Sequence, residues 1–182
     1  TRDNMIDNLR DVSEYLGNVP NGKYFETKGG YTMANDSGLS ELNEVLKSKP
    51  LDEVMKRLRI GVHEDVQVTS CLWGEKRLRD PSHTITQVFG SACSVAYSKN
   101  SQHLWKPFGS MVLMASYEAT LLSAVRTMYR HKGAFGSKRV YLTMLGGGVF
   151  GNSPTWIRSA IQSACKKMEG FGLEVIVVGK YG

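Results

Sequence analysis

Apolar residues recur along this chain with two different periods, and the places where the period changes mark its elements. Over residues 3–16, Ile6, Leu9, Val12 and Leu16 fall near one helical face. Residues 17–37 lose that rhythm and fill with Gly, Asn, Pro and Asp, which predicts a long loop around Gly29-Gly30-Tyr31 with room for a short strand. A loop of this length inside a domain is often functional. Leu39, Leu42, Val45 and Leu46 restore the helical period over 39–48, with Asp36 or Ser37 as the cap and Pro50 as the stop. A further short helix is expected over 51–57.

Alternation then takes over. Leu58-Arg59-Ile60-Gly61-Val62-His63 and Asp65-Val66-Gln67-Val68-Thr69 read as one or two strands. The polar stretch 71–83 reads as a loop or hairpin turn, 84–92 as a strand and 95–102 as a loop. A long helix comes next, starting at Trp105 or Pro107 and running to about Tyr129, with Gly133–Gly136 closing it. Strand 139–145, a glycine loop, helix 154–169, the breakers Gly170 and Gly172, and strand 173–178 complete the chain. From residue 84 onward, strands alternate with helices. That order predicts an α/β fold with a parallel or mixed central sheet flanked by helices, whose ligands sit at the carboxyl ends of the strands.

Length fits one domain. Residues 1–57 are expected to be a helical and loop segment of that domain, and 58–182 its core. Of the 182 residues, 41% are hydrophobic and 22% charged, as in ordinary globular chains. The net charge of +6 suits an anionic partner or simply a mildly basic surface. Lys56-Arg57-Leu58-Arg59 and Lys76-Arg77-Leu78-Arg79 are too short to favour nucleic acid. Three widely spaced cysteines form neither a disulfide framework nor a zinc pattern, and suit reduced thiols inside the cell, in cytoplasm or nucleus. The four histidines show no metal-ligand spacing, so no metal is expected. No apolar run is read as membrane-spanning and no signal peptide is seen, so no membrane partner is expected. Because the chain starts at Thr1, an excised or processed domain is expected.

The chemistry concentrates at Gly146-Gly147-Gly148-Val149-Phe150-Gly151-Asn152. An apolar strand stops at three glycines, and Ser153-Pro154 then opens a helix, with Asn152 or Ser153 placed to cap it. Strand, glycine loop and helix N-terminus together let backbone N–H groups approach a phosphate. The spacing Gly146-x-Gly148-x-x-Gly151 also fits the dinucleotide fingerprint. No acid ends the next strand to hold a ribose, however; Lys180 there would instead meet a 2′-phosphate, which leaves an NADP-type enzyme as an alternative, alongside a nucleic-acid-binding module.

The run RVYLTMLGGGVFGNSPTWIRSAI, followed by LEVIVVGKYG, resembles the C-terminal part of a macrodomain, and the likeness extends over roughly residues 84–182. It implies a three-layer fold that binds ADP-ribose, or a protein bearing it, and needs no cofactor. Gly146 to Asn152 would hold the diphosphate. Ser91, Ala92 and Tyr97 would flank the distal ribose, and Tyr97, Phe150 and Tyr181 are candidates to stack on adenine or cover the ribose. The matching first loop, 87–97, lacks the Asn or Asp found in many members, so binding is better supported than hydrolysis. If an ADP-ribosyl bond is hydrolysed, Glu118 and Asp36 are the candidate bases. Glu118 interrupts an apolar stripe of Met111, Met114, Ala115, Leu122 and Val125, where an acid must be paired or poised by a ligand. Asp36 reads equally well as a helix cap. Cys93 reads as a small residue lining the first loop rather than as a nucleophile.

Overall fold

The computed structural model describes residues 6–19 and 22–179. The chain folds as a mixed α/β domain of five helices and eight short strands among these residues. Helix α1 (Arg10–Leu16) ends at Gly17, and Asn18 organises the segment after it. Its buried Oδ1 accepts from the N–H groups of Tyr24 and Phe25, and its Nδ2 donates to the Phe25 carbonyl. The long loop is thereby pinned from within, and the Phe25 ring stacks 4.8 Å from Phe108. The short strand expected there is a hairpin, β1 (Glu26–Lys28) and β2 (Tyr31–Met33). Gly29 and Gly30 form its turn with φ of 56° and 87°, as a two-residue turn with both central residues left-handed requires.

Helix α2 (Asp36–Lys47) starts three residues before the expected 39, and its cap lies one residue before the expected pair: the Asn35 Oδ1 accepts from the Gly38 N–H at 2.8 Å. Helix α3 (Leu51–Met55) comes directly after Pro50. Strand β3 (Gly61–Gln67) pairs antiparallel with β6 (Thr84–Phe89), broken by a bulge at Asp65, whose φ is 54°. Between them the polar stretch is a small hairpin, β4 (Ser70–Cys71) and β5 (Lys76–Arg77). Strand β7 (Arg139–Thr143) pairs in parallel with β8 (Glu174–Val178) through the crossover helix α5 (Pro154–Lys167).

The expectation of one continuous sheet from residue 84 onward needs correction. Among the described residues no ladder joins β6 to β7. β6 takes β3 as its hydrogen-bonded partner and β7 takes β8. Only the carboxyl ends of β6 and β7 converge, where a Cβ on Gly90 would lie 3.5 Å from Leu145 Cδ2.

Helix α4 (Gln102–Arg130) holds these pieces together. It begins three residues before Trp105, so Pro107 stands within its second turn, on an exposed face, and donates no N–H to the His103 carbonyl. Trp105, Phe108, Met111, Val112, Leu113, Ala115, Tyr117 and Leu121 are all buried, and from Phe108 to Tyr117 no position is exposed, so this middle stretch of the helix is covered on every side. The single stripe expected from the sequence is therefore too narrow: Leu121 is fully buried and Leu122 is exposed. α4 is also long and apolar enough to cross a membrane by length and composition, with an 18-residue window of mean hydropathy 1.3, which corrects the reading that no such run exists. More than half of that window is covered by the protein itself, by α2, α3 and α5 among others.

Helices α4 and α5 run parallel. Gly109 faces Trp156 near their starts, and Glu118 meets Lys167 farther along. A Cβ added at Gly109 would sit 3.5 Å from the Trp156 ring and 3.8 Å from Asn152 Oδ1, in ordinary contact. At Gly38 a Cβ would fall 2.4 Å from the Tyr24 carbonyl oxygen. Chemical denaturation should separate the two: Gly109→Ala is expected to stabilise by about 0.5–1 kcal/mol through helix propensity, and Gly38→Ala to destabilise by about 1–3 kcal/mol through overpacking.

Candidate functional site

The glycine loop is held against the segment 92–97 by contacts that only small residues permit. Gly146 has φ of 70°, and a Cβ there would lie 2.5 Å from Ala92 Cβ and 2.6 Å from Asn152 Nδ2. Gly151 has φ of 71°, and its Cβ would lie 2.8 Å from Ala96 Cβ. The Ala96 N–H donates to the Phe150 carbonyl at 3.0 Å, and the Gln102 amide of α4 donates to the Gly151 carbonyl at 3.0 Å.

Asn152 closes the loop. It is 2% exposed, and its Nδ2 donates to the carbonyls of Cys93 at 2.7 Å and Gly146 at 3.2 Å, while its own N–H donates to Gly146. The expectation that Asn152 or Ser153 caps the next helix is thus overturned. Asn152 spends its amide inside the loop, and Ser153, at the N-cap position of α5, makes no side-chain cap. No acid lies in the first turn of α5 either. The Gly147, Gly151 and Asn152 N–H groups are used within the loop, whereas those of Gly148, Val149 and Phe150 have no protein acceptor among the described residues. The Gly148 Cβ position is open, with nothing within 4 Å. Free donors therefore lie just before an uncapped helix N-terminus, an arrangement that can receive an anion.

Three aromatic rings gather beside the loop. Tyr97 lies 5.5 Å from Phe150, and Tyr31 of the β1–β2 hairpin lies 4.9 Å from Tyr97 and 5.9 Å from Phe150. Tyr31 and Tyr97 are about two-fifths exposed. The hairpin reaches this position because the Ser94 hydroxyl donates to the Thr32 carbonyl at 2.8 Å and the Ala34 N–H donates to Ser98 Oγ at 3.3 Å. On the other side of the 90–92 turn is a cleft of about 690 Å³, lined among others by Asn8, Lys28, Gly30, Phe89 and Ser91. Tyr117 fixes the carboxyl edge itself: its hydroxyl donates to the Thr143 carbonyl and accepts from the Leu145 N–H, each at 2.8 Å.

The structure thus brings together Gly146, Gly147, Gly148, Val149, Phe150, Gly151, Asn152, Ala92 and Tyr97, with Ser91 one residue away at the cleft. Tyr181 and Lys180 lie outside the described residues. Glu118 is not part of this group. Its carboxylate accepts from Lys167 Nζ at 2.7 Å, and Lys167 stands in the last turn of α5, the end away from the loop along a helix about 21 Å long. Lys167 also reaches Asp52 of α3, and the Glu118 carboxylate holds the lysine above its ordinary range. Asp36 is exposed and accepts from Asn100 Nδ2 at 2.7 Å. Three contributors escaped the sequence: Tyr31, Tyr117 and Gln102. Tyr31 carried a signal, since Gly29-Gly30 announces a hairpin that must deliver its flanking residues somewhere; the other two sit in a helix whose pattern says nothing of their partners.

Cys93 is fully buried behind the loop, and burial pushes its thiol up to about 12 from an ordinary 9.0. The unfolded chain releases this proton near pH 9 and the folded chain does not, so this group stabilises fully below pH 9 and loses that contribution as pH rises toward 12. Iodoacetamide on the native protein should modify Cys71 and Cys165 and spare Cys93, as read by peptide mass mapping. Glu118→Gln should cost about 0–1 kcal/mol of stability in a denaturant titration, and leave any ligand affinity at the loop unchanged.

Comparison with protein-family models, with curated proteins and with solved structures finds no match for this chain.

Proposed function

We propose that this chain is an ADP-ribose-binding module of the macrodomain kind, acting as a reader of ADP-ribose or of ADP-ribosylated proteins. The observation that carries the reading is the glycine loop with unclaimed donors at Gly148, Val149 and Phe150, leading into an uncapped α5. A diphosphate offers the two adjacent anionic groups that such a run of N–H donors suits. The rings of Tyr31, Tyr97 and Phe150 give a surface on which a ribose or base can pack. The cleft beyond Ser91 supplies room for the rest of a long nucleotide. In this reading the β3–β6 and β7–β8 ladders are two halves of the central layer, with the ligand across their carboxyl ends.

Catalysis has less behind it. Neither acid expected as a base is free at the loop: Glu118 is committed to Lys167, and Asp36 to Asn100. A binding protein is therefore the better account than a hydrolase.

Titration calorimetry with ADP-ribose tests this directly. Gly148→Trp adds a side chain where a Cβ meets nothing, so the fold should survive while affinity drops at least about tenfold. No heat with wild-type protein at high micromolar ADP-ribose, or undiminished affinity in Gly148→Trp, would sink the proposal.

A further inference from the structure

At the pole opposite the glycine loop, two tips project that the proposed function does not use. The first is the β4–β5 hairpin. Leu72 and Trp73 occupy its turn with φ of 50° and 55°, and they are 64% and 105% exposed. The second is the turn after α4, where Phe135 is 97% exposed. Both lie at the same end of the molecule. The hairpin extends the β3–β6 ladder beyond the Gln67–Thr84 pair, and the end of α4 is fastened to that ladder by Arg130 to Thr86 and His131 to Asp65.

Each apolar tip has cations close to it along the chain. Lys76, Arg77 and Arg79 flank Trp73, and Lys132 and Lys138 flank Phe135; all five are exposed and have no ion-pair partner among the described residues. Arg139 adds its guanidinium 5.9 Å from the Phe135 ring while paired to Glu174. The nearby acids are Glu75 and Asp80, with Asp80 exposed and its carboxylate accepting from Ser82, and Glu64, Asp65 and Glu174, which are paired to Arg130, His131 and Arg139. A folded chain does not leave a tryptophan and a phenylalanine almost wholly in water without cost.

We infer that this pole docks on an anionic membrane surface, with Trp73, Leu72 and Phe135 entering the headgroup boundary and the surrounding lysines and arginines meeting lipid phosphates and carboxylates. The chemistry favours a bilayer over a nucleic acid. Leu72 is aliphatic, and neither Trp73 nor Phe135 lies against another aromatic ring among the described residues, whereas base stacking wants an aromatic platform. The inference stands independently of the ADP-ribose reading and runs against the expectation of no membrane partner.

The three tryptophans make the test selective. Trp105 is fully buried and Trp156 is 9% exposed, so a change in the solvent-exposed part of the emission reports Trp73. The protein is mixed with vesicles of phosphatidylcholine alone or with about 30 mol % phosphatidylserine, and bound protein is measured by co-sedimentation. Expected is binding to the anionic vesicles only, with a blue shift of Trp73 emission, and release as salt rises to about 0.5 M. The double variant Trp73→Glu, Phe135→Glu touches only solvent-exposed side chains, should keep its circular dichroism and melting temperature, and should bind at least about tenfold more weakly. The inference is overturned if wild-type protein ignores the anionic vesicles, if the double variant binds them as well as wild type, or if Trp73 emission responds to single-stranded RNA and not to vesicles.

Discussion

A helix of 29 residues whose middle stretch, Phe108 to Tyr117, has no exposed position cannot sit on a surface; it has to be surrounded. That requirement on α4 arranges most of this molecule. α2 and α3 cover one side, α5 lies parallel along another, and the ends of β6 and β7 rest on the turn around Ser116 and Tyr117. The glycine loop is positioned as a by-product. Its two structural glycines, Gly146 and Gly151, let it close over 92–96, and Gly109 of α4 leaves space for Asn152 and Trp156. Enlarging Gly146 or Gly151 would push the loop off the segment it closes over, whereas Gly109 has room for a methyl group.

Within that frame, the loop divides its residues between two tasks. Gly146, Gly151 and Asn152 hold it shut by close approach and by hydrogen bonds to buried carbonyls. Gly148 and Val149 face outward with donors unclaimed, and Phe150, half-buried against the core, leaves its N–H unclaimed too. A buried polar side chain such as Asn152 fixes geometry because leaving the Cys93 and Gly146 carbonyls unpaired is costly. The exposed half can then meet a ligand without rearrangement.

Much of this was legible in the sequence, and the exceptions have physical reasons. The long helices declared themselves through period and through Pro and Gly stops, and the glycine loop through its composition. The pairing of strands did not, because alternation reports which face is buried and not which neighbour is taken; β6 chose β3, and the expected continuous sheet gave way to separate ladders. Glu118 misled for a related reason. Its apolar neighbours on one helical face marked it as buried, but the group that compensates it is Lys167, 49 residues away in sequence. Asn152 reads as a helix cap from its position alone, and only the approach of Cys93 gives its amide other work.

The parallel course of α4 and α5 has an electrostatic consequence. Their starts lie at the same pole, bridged by the Gln102 contact to Gly151, and neither helix has a side-chain cap or an acid in its first turn. Their peptide dipoles therefore add rather than cancel, and the positive ends of both meet at the glycine loop. The opposite, negative ends are answered by Arg130, Lys166 and Lys167. The positive field at the loop thus comes from the backbone of two helices, beside the His103 imidazole that Ser101 holds in the first turn of α4.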